Sequence, residues 1–294
     1  MKRMQRLIIV VFSSLFLCMP AWAVERGALF KLTANGNTMH LFGTIHVGLP
    51  EFYPLEPRIM AAIDRASVLA LEIDPLADPA RMAQAVATSA TRDATTGPMP
   101  AQLAPRLDKV LRANYVDPAA VATFKPWLVA TVLTMTEFGL QGGRAELSVD
   151  MHLAKLARER KIALVELESM QEQLGLFNRM TPAQQWEFLD DTVAIFESGK
   201  QSEDVKQIMS SWSKADKAGL DELALRAEQD TSYSGKFVQK VLLEERNGPI
   251  ADKLAAMLAK QNNAVAAIGV LHLVGKFSVP EQLRARGIKV ERIY

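Results

Sequence analysis

The sequence predicts an α/β fold: a central mixed β-sheet built around two β-Gly-x-x-His-α-β units at the chain ends, with a large, mostly helical middle insertion. Three observations carry this expectation. Residues 38–48, TMHLFGTIHVG, read as an apolar strand that runs into Gly43-Thr44-Ile45-His46 and turns at Gly48. Residues 265–275, VAAIGVLHLVG, repeat that grammar with Gly269-Val270-Leu271-His272. Between them, from about residue 78 to residue 260, apolar residues recur mostly at helical spacing.

Residues 1–23 have the form of a secretory signal peptide. Lys2, Arg3 and Arg6 make a basic start, residues 7–20 are mostly apolar, and Ala21-Trp22-Ala23 is an A-x-A cleavage site. The apolar run falls short of the roughly 20 residues of a spanning helix. Leu17 precedes Cys18 where a lipoprotein signal takes a small residue, which argues against a lipid anchor. A periplasmic or secreted protein is therefore expected, with residues 24–294 as a single domain; a break near Gln141-Gly142-Gly143-Arg144 is the one alternative boundary. Cleavage removes three basic residues and no acid, taking the net charge from +1 to about −2. Such a balance offers nothing to nucleic acid or to an anionic membrane. The only cysteine leaves with the signal, so neither a disulfide nor a thiolate enters the expected chemistry, and a chain of this size buries enough core without one.

The elements follow in order. Strands at 28–33 and 38–43 flank Ala34-Asn35-Gly36-Asn37, an Asn-Gly hairpin signal. A loop with Gly48, Pro50 and Pro54 leads to a helix at 56–65 with Ile59, Ala62 and Ile63 on one face. SVLALEID, at 67–74, is a buried-type strand with Glu72 near its end. Helices follow, broken at Gly97-Pro98-Met99-Pro100 and Asp117-Pro118, and Pro126 opens another that runs to 138. A helix at 147–160 precedes a strand at 162–167, IALVEL, with Glu168 just past it. Amphipathic helices fill about 171–260, one starting at Thr181-Pro182, and Arg246-Asn247-Gly248-Pro249 reads as the end of one helix and the cap of the next. A strand at 265–268, a helix at 280–286 and a closing strand at 289–294 complete the chain.

If the strands of each end unit are parallel, His46 and His272 fall at carboxyl ends, where open α/β sheets bind ligands. Glu72 and Glu168 arrive at the same edge. Two imidazoles and nearby carboxylates suit metal ligation or general-base catalysis; the plainer alternative is a histidine that only hydrogen-bonds at a strand end. Glu72 alternates with apolar Leu71 and Ile73, so burial would demand a metal or an arginine as partner, unless it sits at a solvated tip beside Asp74. Glu168 and Glu166 share a face and are each a ligand, a base or solvated. Arg246 either clamps a carboxylate or answers a helix dipole. His40 and His152 read as structural. Asp150 does not share a helix face with His152, and its role stays open. No H-E-x-x-H, no G-x-S-x-G and no Gly-rich phosphate loop is present.

GTIHVG, LALEID, VELESMQEQ, ERN and GVLHLVG occur in that order across nearly all of the mature chain. Together they resemble the TraB/GumN family, or TraB/PrgY group, which is related to the Tiki metalloproteases. The resemblance implies a core with Gly-x-x-His at each end and an acid between, and metal-dependent peptidase chemistry in the Tiki-like members. The wider superfamily adds erythromycin-esterase-like hydrolases and haem-binding ChaN-like proteins. The motif positions fall on Gly43 and His46, Gly269 and His272, Glu72, Glu168 with Gln173, and Arg246 with Asn247. The expectation is a metal-dependent hydrolase, a peptidase first, in which His46, Glu72 and His272 hold a divalent manganese, cobalt or zinc ion. Glu168 or a nearby acid would orient or deprotonate water, and Arg246 would clamp a peptide or small-molecule substrate. The alternatives are a metal-free hydrolase with a histidine base and a non-catalytic binder of peptide or haem.

Overall fold

The computed structural model describes residues 24–294; the expected signal peptide lies outside the described residues. Strands β1 (Leu29–Ala34) and β2 (Asn37–Thr44) form the predicted hairpin. Asn35 and Gly36, at φ 52° and 79°, make its two-residue turn. That is the left-handed geometry an Asn-Gly pair supplies at least cost. The remaining strands are β3 (Val68–Leu71), β4 (Ala163–Glu166), β5 (Ala264–Gly269) and β6 (Lys289–Arg292).

Among the described residues these make one six-stranded sheet in the order β4-β3-β5-β2-β1-β6. The first four run parallel, β1 is antiparallel to β2, and β6 is antiparallel to β1. The mixed sheet is as expected, but the two end units interleave. β5 lies between β2 and β3, and β2 and β1 lie between β5 and β6. The reason is in the side chains. Ala264, Val265, Ala266, Ala267 and Ile268 have no exposed surface, and such a strand belongs where both faces are covered. β4, mostly exposed, takes an edge.

Two apolar clusters fill the molecule. One joins the sheet to its covering helices through residues such as Phe42, Ile59, Leu153, Leu254 and Leu283. The other lies within the insertion and centres on Leu103, Trp127, Leu133, Leu189 and Phe237.

Arg246-Asn247-Gly248-Pro249 does not break the chain. Helix Tyr233–Phe237 passes through a π-helical stretch, Val238–Glu244, directly into helix Glu245–Lys260, with Pro249 inside it. Proline offers no N–H to the carbonyl four residues back, and the widened π turns just upstream loosen the ladder there. Asn247 is not a cap: it is buried and turned inward.

Candidate active site

The carboxyl ends of β4, β3, β5 and β2 lie side by side, and just beyond them stand Glu168, Glu72, His272 and His46 in that spatial order. Pairing of Thr44 with Gly269 sets the two Gly-x-x-His turns next to each other. The β3–β4 ladder continues past both strands, with Leu167 N donating to Leu71 O and Glu168 N to Glu72 O, each at 2.8 Å. That extension sets the two glutamates alongside.

His46 is held from the helix Val149–Glu159. Ser148 caps that helix, accepting from Met151 N, and Asp150 lies in its first turn. Asp150 Oδ2 meets His46 Nδ1 at 2.9 Å, and Oδ1 accepts from Thr44 Oγ1 at 2.8 Å. The backbones are pinned together as well. Val149 N donates to Ile45 O at 3.1 Å, and Gly48 and Arg144 exchange two bonds of 2.9 Å. Gly48 serves this close approach: a Cβ there would stand 1.7 Å from Leu147 O.

His272 is held from the helix Glu245–Lys260. Its Nδ1 lies 2.6 Å from Asn247 Oδ1. Asn247 Nδ2 donates to Phe277 O at 2.9 Å, which fixes the amide so that its oxygen faces the ring. The partners of both histidines are acceptors, so each Nδ1 carries a proton. When neutral, each ring turns a lone pair outward from Nε2.

Glu72 lies between. Its Oε1 accepts from Gly269 N at 2.5 Å and stands 3.9 Å from His272 Nε2. Its Oε2 accepts from Arg246 at 2.6 Å and from Gln173 Nε2 at 3.2 Å. Arg246 and Gln173 also bond Glu168, through Nε at 2.9 Å and Nε2 at 3.0 Å. Arg246 Nη1 donates to Leu242 O at 2.8 Å. Arg246 is therefore the buried partner that Glu72 demanded. Gly269 is the hub: a Cβ there would lie 3.3 Å from Glu72 Oε1, 3.6 Å from His46 Nε2 and 3.6 Å from His272 Cδ2. The two imidazoles and the carboxylate surround one small space that only a missing side chain keeps open.

The two histidines are electrostatically unlike. The Asp150 charge raises the His46 pKa to about 9, helped by their hydrogen bond and by Glu72, against some desolvation. Solvent still reaches 64% of the His46 side-chain surface. Burial pushes His272 down to about 4, and only 4% of its side chain is exposed. Burial would raise Glu72, but the neighbouring His272, His46 and Arg246 and the Gly269 N–H outweigh it and hold the carboxyl at about 2.

The donor set fits a divalent cation in kind: two imidazoles with Nδ1 tied back and Nε2 outward, the orientation that supported metal ligands require, plus one carboxylate oxygen. Among the described residues, however, no three His, Cys, Asp or Glu side chains stand ready as a metal-holding group. Glu72 is engaged with Arg246 and Gly269 instead. The other candidates lie apart. Glu166 Oε1 accepts from Asp74 N at 2.9 Å, and Asp74 pairs with Arg158 at 2.7 Å. His40 is on β2, facing Lys31 across the hairpin, and His152 packs its ring 4.2 Å from that of Tyr53. Thr44, the Gly269 N–H and the pairing of Asp150 with His46 escaped the sequence reading. Thr44, inside the first Gly-x-x-His motif, and Asp150, just after the Ser148 helix start, were the available signals.

The TraB/PrgY/gumN family model matches residues 28–292. Two similar proteins, both described as uncharacterized protein YbaP, come from Escherichia coli strain K12 and Shigella flexneri. Each is 27% identical over 269 residues, covering 90% of this chain and 96% of the relative. No solved structure matches the chain significantly.

Proposed function

The chain belongs to the TraB/PrgY/gumN family, and on that premise we propose that it is an exported, single-domain, metal-dependent hydrolase, with peptides as the first substrate class. One observation carries the reading: His46 Nε2 and Glu72 Oε1 converge on the space at Gly269, beside the His272 ring, while both Nδ1 atoms are tied back. His46 Nε2, His272 Nε2 and Glu72 Oε1 would hold a manganese, cobalt or zinc ion. Such an ion supplies a Lewis acid and a bound water whose pKa falls to about 7. Arg246 grips Glu72 by its other oxygen, so Oε1 is left toward the histidines. Glu168 and Gln173 hold Arg246 and Glu72 in register. Four of the five N–H donors of the guanidinium are used by Glu168, Glu72 and Leu242, leaving one on Nη1 for a substrate oxygen. Glu168, which shares Arg246 with Glu72, would orient or deprotonate the water. A mature chain of slight negative charge fits neither nucleic acid nor a membrane surface as partner.

The unlike histidines favour a second reading without metal. His272, kept neutral, would take a proton from water, and His46, kept charged beside Asp150, would deliver one to the leaving group. Cleavage of a peptide library by the mature protein, chelated and then given manganese, cobalt or zinc, separates the two. Activity restored only by metal, and lost in His46→Ala and His272→Ala, supports the first. Full activity after chelation sinks it in favour of the second, and no cleavage under any condition rejects both for peptides.

A further inference from the structure

The two histidines are held by different means. His272 is walled in: 4% of its side chain is exposed, and Asn247 fixes its Nδ1. His46 is 64% exposed, so packing alone does not hold its ring. Among the described residues its one hydrogen bond is to Asp150 Oδ2, at 2.9 Å. The Asp150 carboxylate has one other partner among them, the Thr44 hydroxyl, which donates to Oδ1 at 2.8 Å. The placement of the exposed ring therefore runs through two bonds and ends at a hydroxyl on β2.

That hydroxyl is unfavourable where it stands unless it is bonded. Thr44 is the last residue of β2, it pairs with Gly269 of β5, and none of its surface is exposed. Valine has nearly the same shape, suits a strand and has no polar atom to desolvate. The bond to Asp150 is what a hydroxyl adds at this position. For Asp150 the bond supplies an orientation. Its charge already suits the first turn of the helix Val149–Glu159, but a dipole fixes no plane, and the Cβ–Cγ torsion of aspartate is broad. With Oδ1 taken by Thr44, Oδ2 is set against His46 Nδ1. The proton is then kept on Nδ1, and Nε2 faces the space at Gly269.

From this chain of bonds we infer that Thr44 is a positioning residue of the centre, acting on His46 through Asp150. It aims the histidine two places ahead of it in the same Gly-Thr-Ile-His turn, by way of a carboxylate 106 residues further along the chain. Its part in metal binding rests on the proposed hydrolase reading; its hold on the ring does not.

The test compares Thr44→Val, which removes the hydroxyl and keeps the shape, with Thr44→Ser, which keeps the hydroxyl, in the mature protein free of metal. Nitrogen-resolved NMR reads the His46 Nδ1–H. In the wild type it should be a downfield resonance protected from solvent exchange. Thr44→Val should broaden or lose it while melting close to the wild type, and Thr44→Ser should restore it. The His272 Nδ1–H, held by Asn247, should stay unchanged throughout. Zinc affinity by calorimetry should fall about tenfold in Thr44→Val and recover in Thr44→Ser. A wild-type His46 signal in folded Thr44→Val overturns the assignment, and so does equal loss in Thr44→Val and Thr44→Ser. Loss of the His272 signal as well would mark general disorder and overturn a role specific to His46. Should Thr44→Val fail to fold, the wild type decides: its Thr44 hydroxyl proton must be visible and slow to exchange, and rapid exchange overturns the bond to Asp150. A wild type that binds no zinc overturns the metal reading alone, and the ring spectrum still decides on Thr44.

Discussion

Arg246 and Glu72 form an ion pair of 2.6 Å with only 13% and 7% of their side chains exposed. Glu168 shares the same guanidinium, so one cation balances two carboxylates. Desolvation makes such a group cheap to replace as a whole and expensive to break in part.

Arg246→Met therefore strands two buried negative charges and is expected to lower stability by about 3–5 kcal/mol. Adding Glu72→Gln to it should return part of that loss. A double-mutant cycle by urea unfolding measures the coupling; additive effects would show that the pair contributes nothing specific.

Stability is expected to peak near pH 6.5. His46, raised from 6.5 to about 9, contributes stability that is complete below 6.5 and lost as pH rises through 9. His272, lowered to about 4, refuses a proton that the unfolded chain accepts, so stability falls as pH drops from 6.5 toward 4. Glu72, lowered from 4.5 to about 2, adds a further loss as pH falls through that range. Unfolding curves across pH check the shape. Asp150→Asn should flatten the alkaline limb, and an unchanged limb would rule Asp150 out as its source.

Metal binding should compete with protons at His46. Below pH 9 a cation that needs neutral imidazole binds about tenfold more tightly per pH unit. Calorimetry with zinc or manganese at neutral and mildly alkaline pH reads this slope, with His46→Ala and His272→Ala as controls. Binding independent of pH would mean that His46 is not a ligand.

Gly269→Ala puts a methyl group among Glu72, His46 and His272 at 3.3–3.6 Å. Displacing reacting groups by fractions of an ångström costs rate far more than stability, so kcat/KM should fall about 10- to 100-fold with little change in melting temperature. Wild-type turnover in a well-folded variant would exclude the Gly269 space as the reaction site.

The strand-end cluster was legible because its signals are local. An apolar run, a glycine that admits close packing and a histidine three residues on are all in the text of the sequence. Glu72 was legible for a related reason, as a charge in a strand too apolar to leave it unpartnered. Asp150 shares its helix with His152, but its partner, His46, is 104 residues away in sequence. Arg246-Asn247-Gly248-Pro249 carries the local signal of a helix break because of Pro249, and nothing local announces that π turns absorb the proline. The interleaving of β5 between β2 and β3 likewise follows from which strand is most thoroughly buried, a comparison across the whole sheet.

The central position of β5 also sets a timetable. β2 and β3 are made early, yet neither pairs with β5 until residues near 269 emerge; before that β3 has only β4 as a parallel neighbour and β2 has none, and contacts this distant in sequence form late. During synthesis the nascent chain holds His46 and Glu72 without His272 or the Gly269 amide. The centre is completed in one late insertion, when residues 264–269 take their place between β2 and β3.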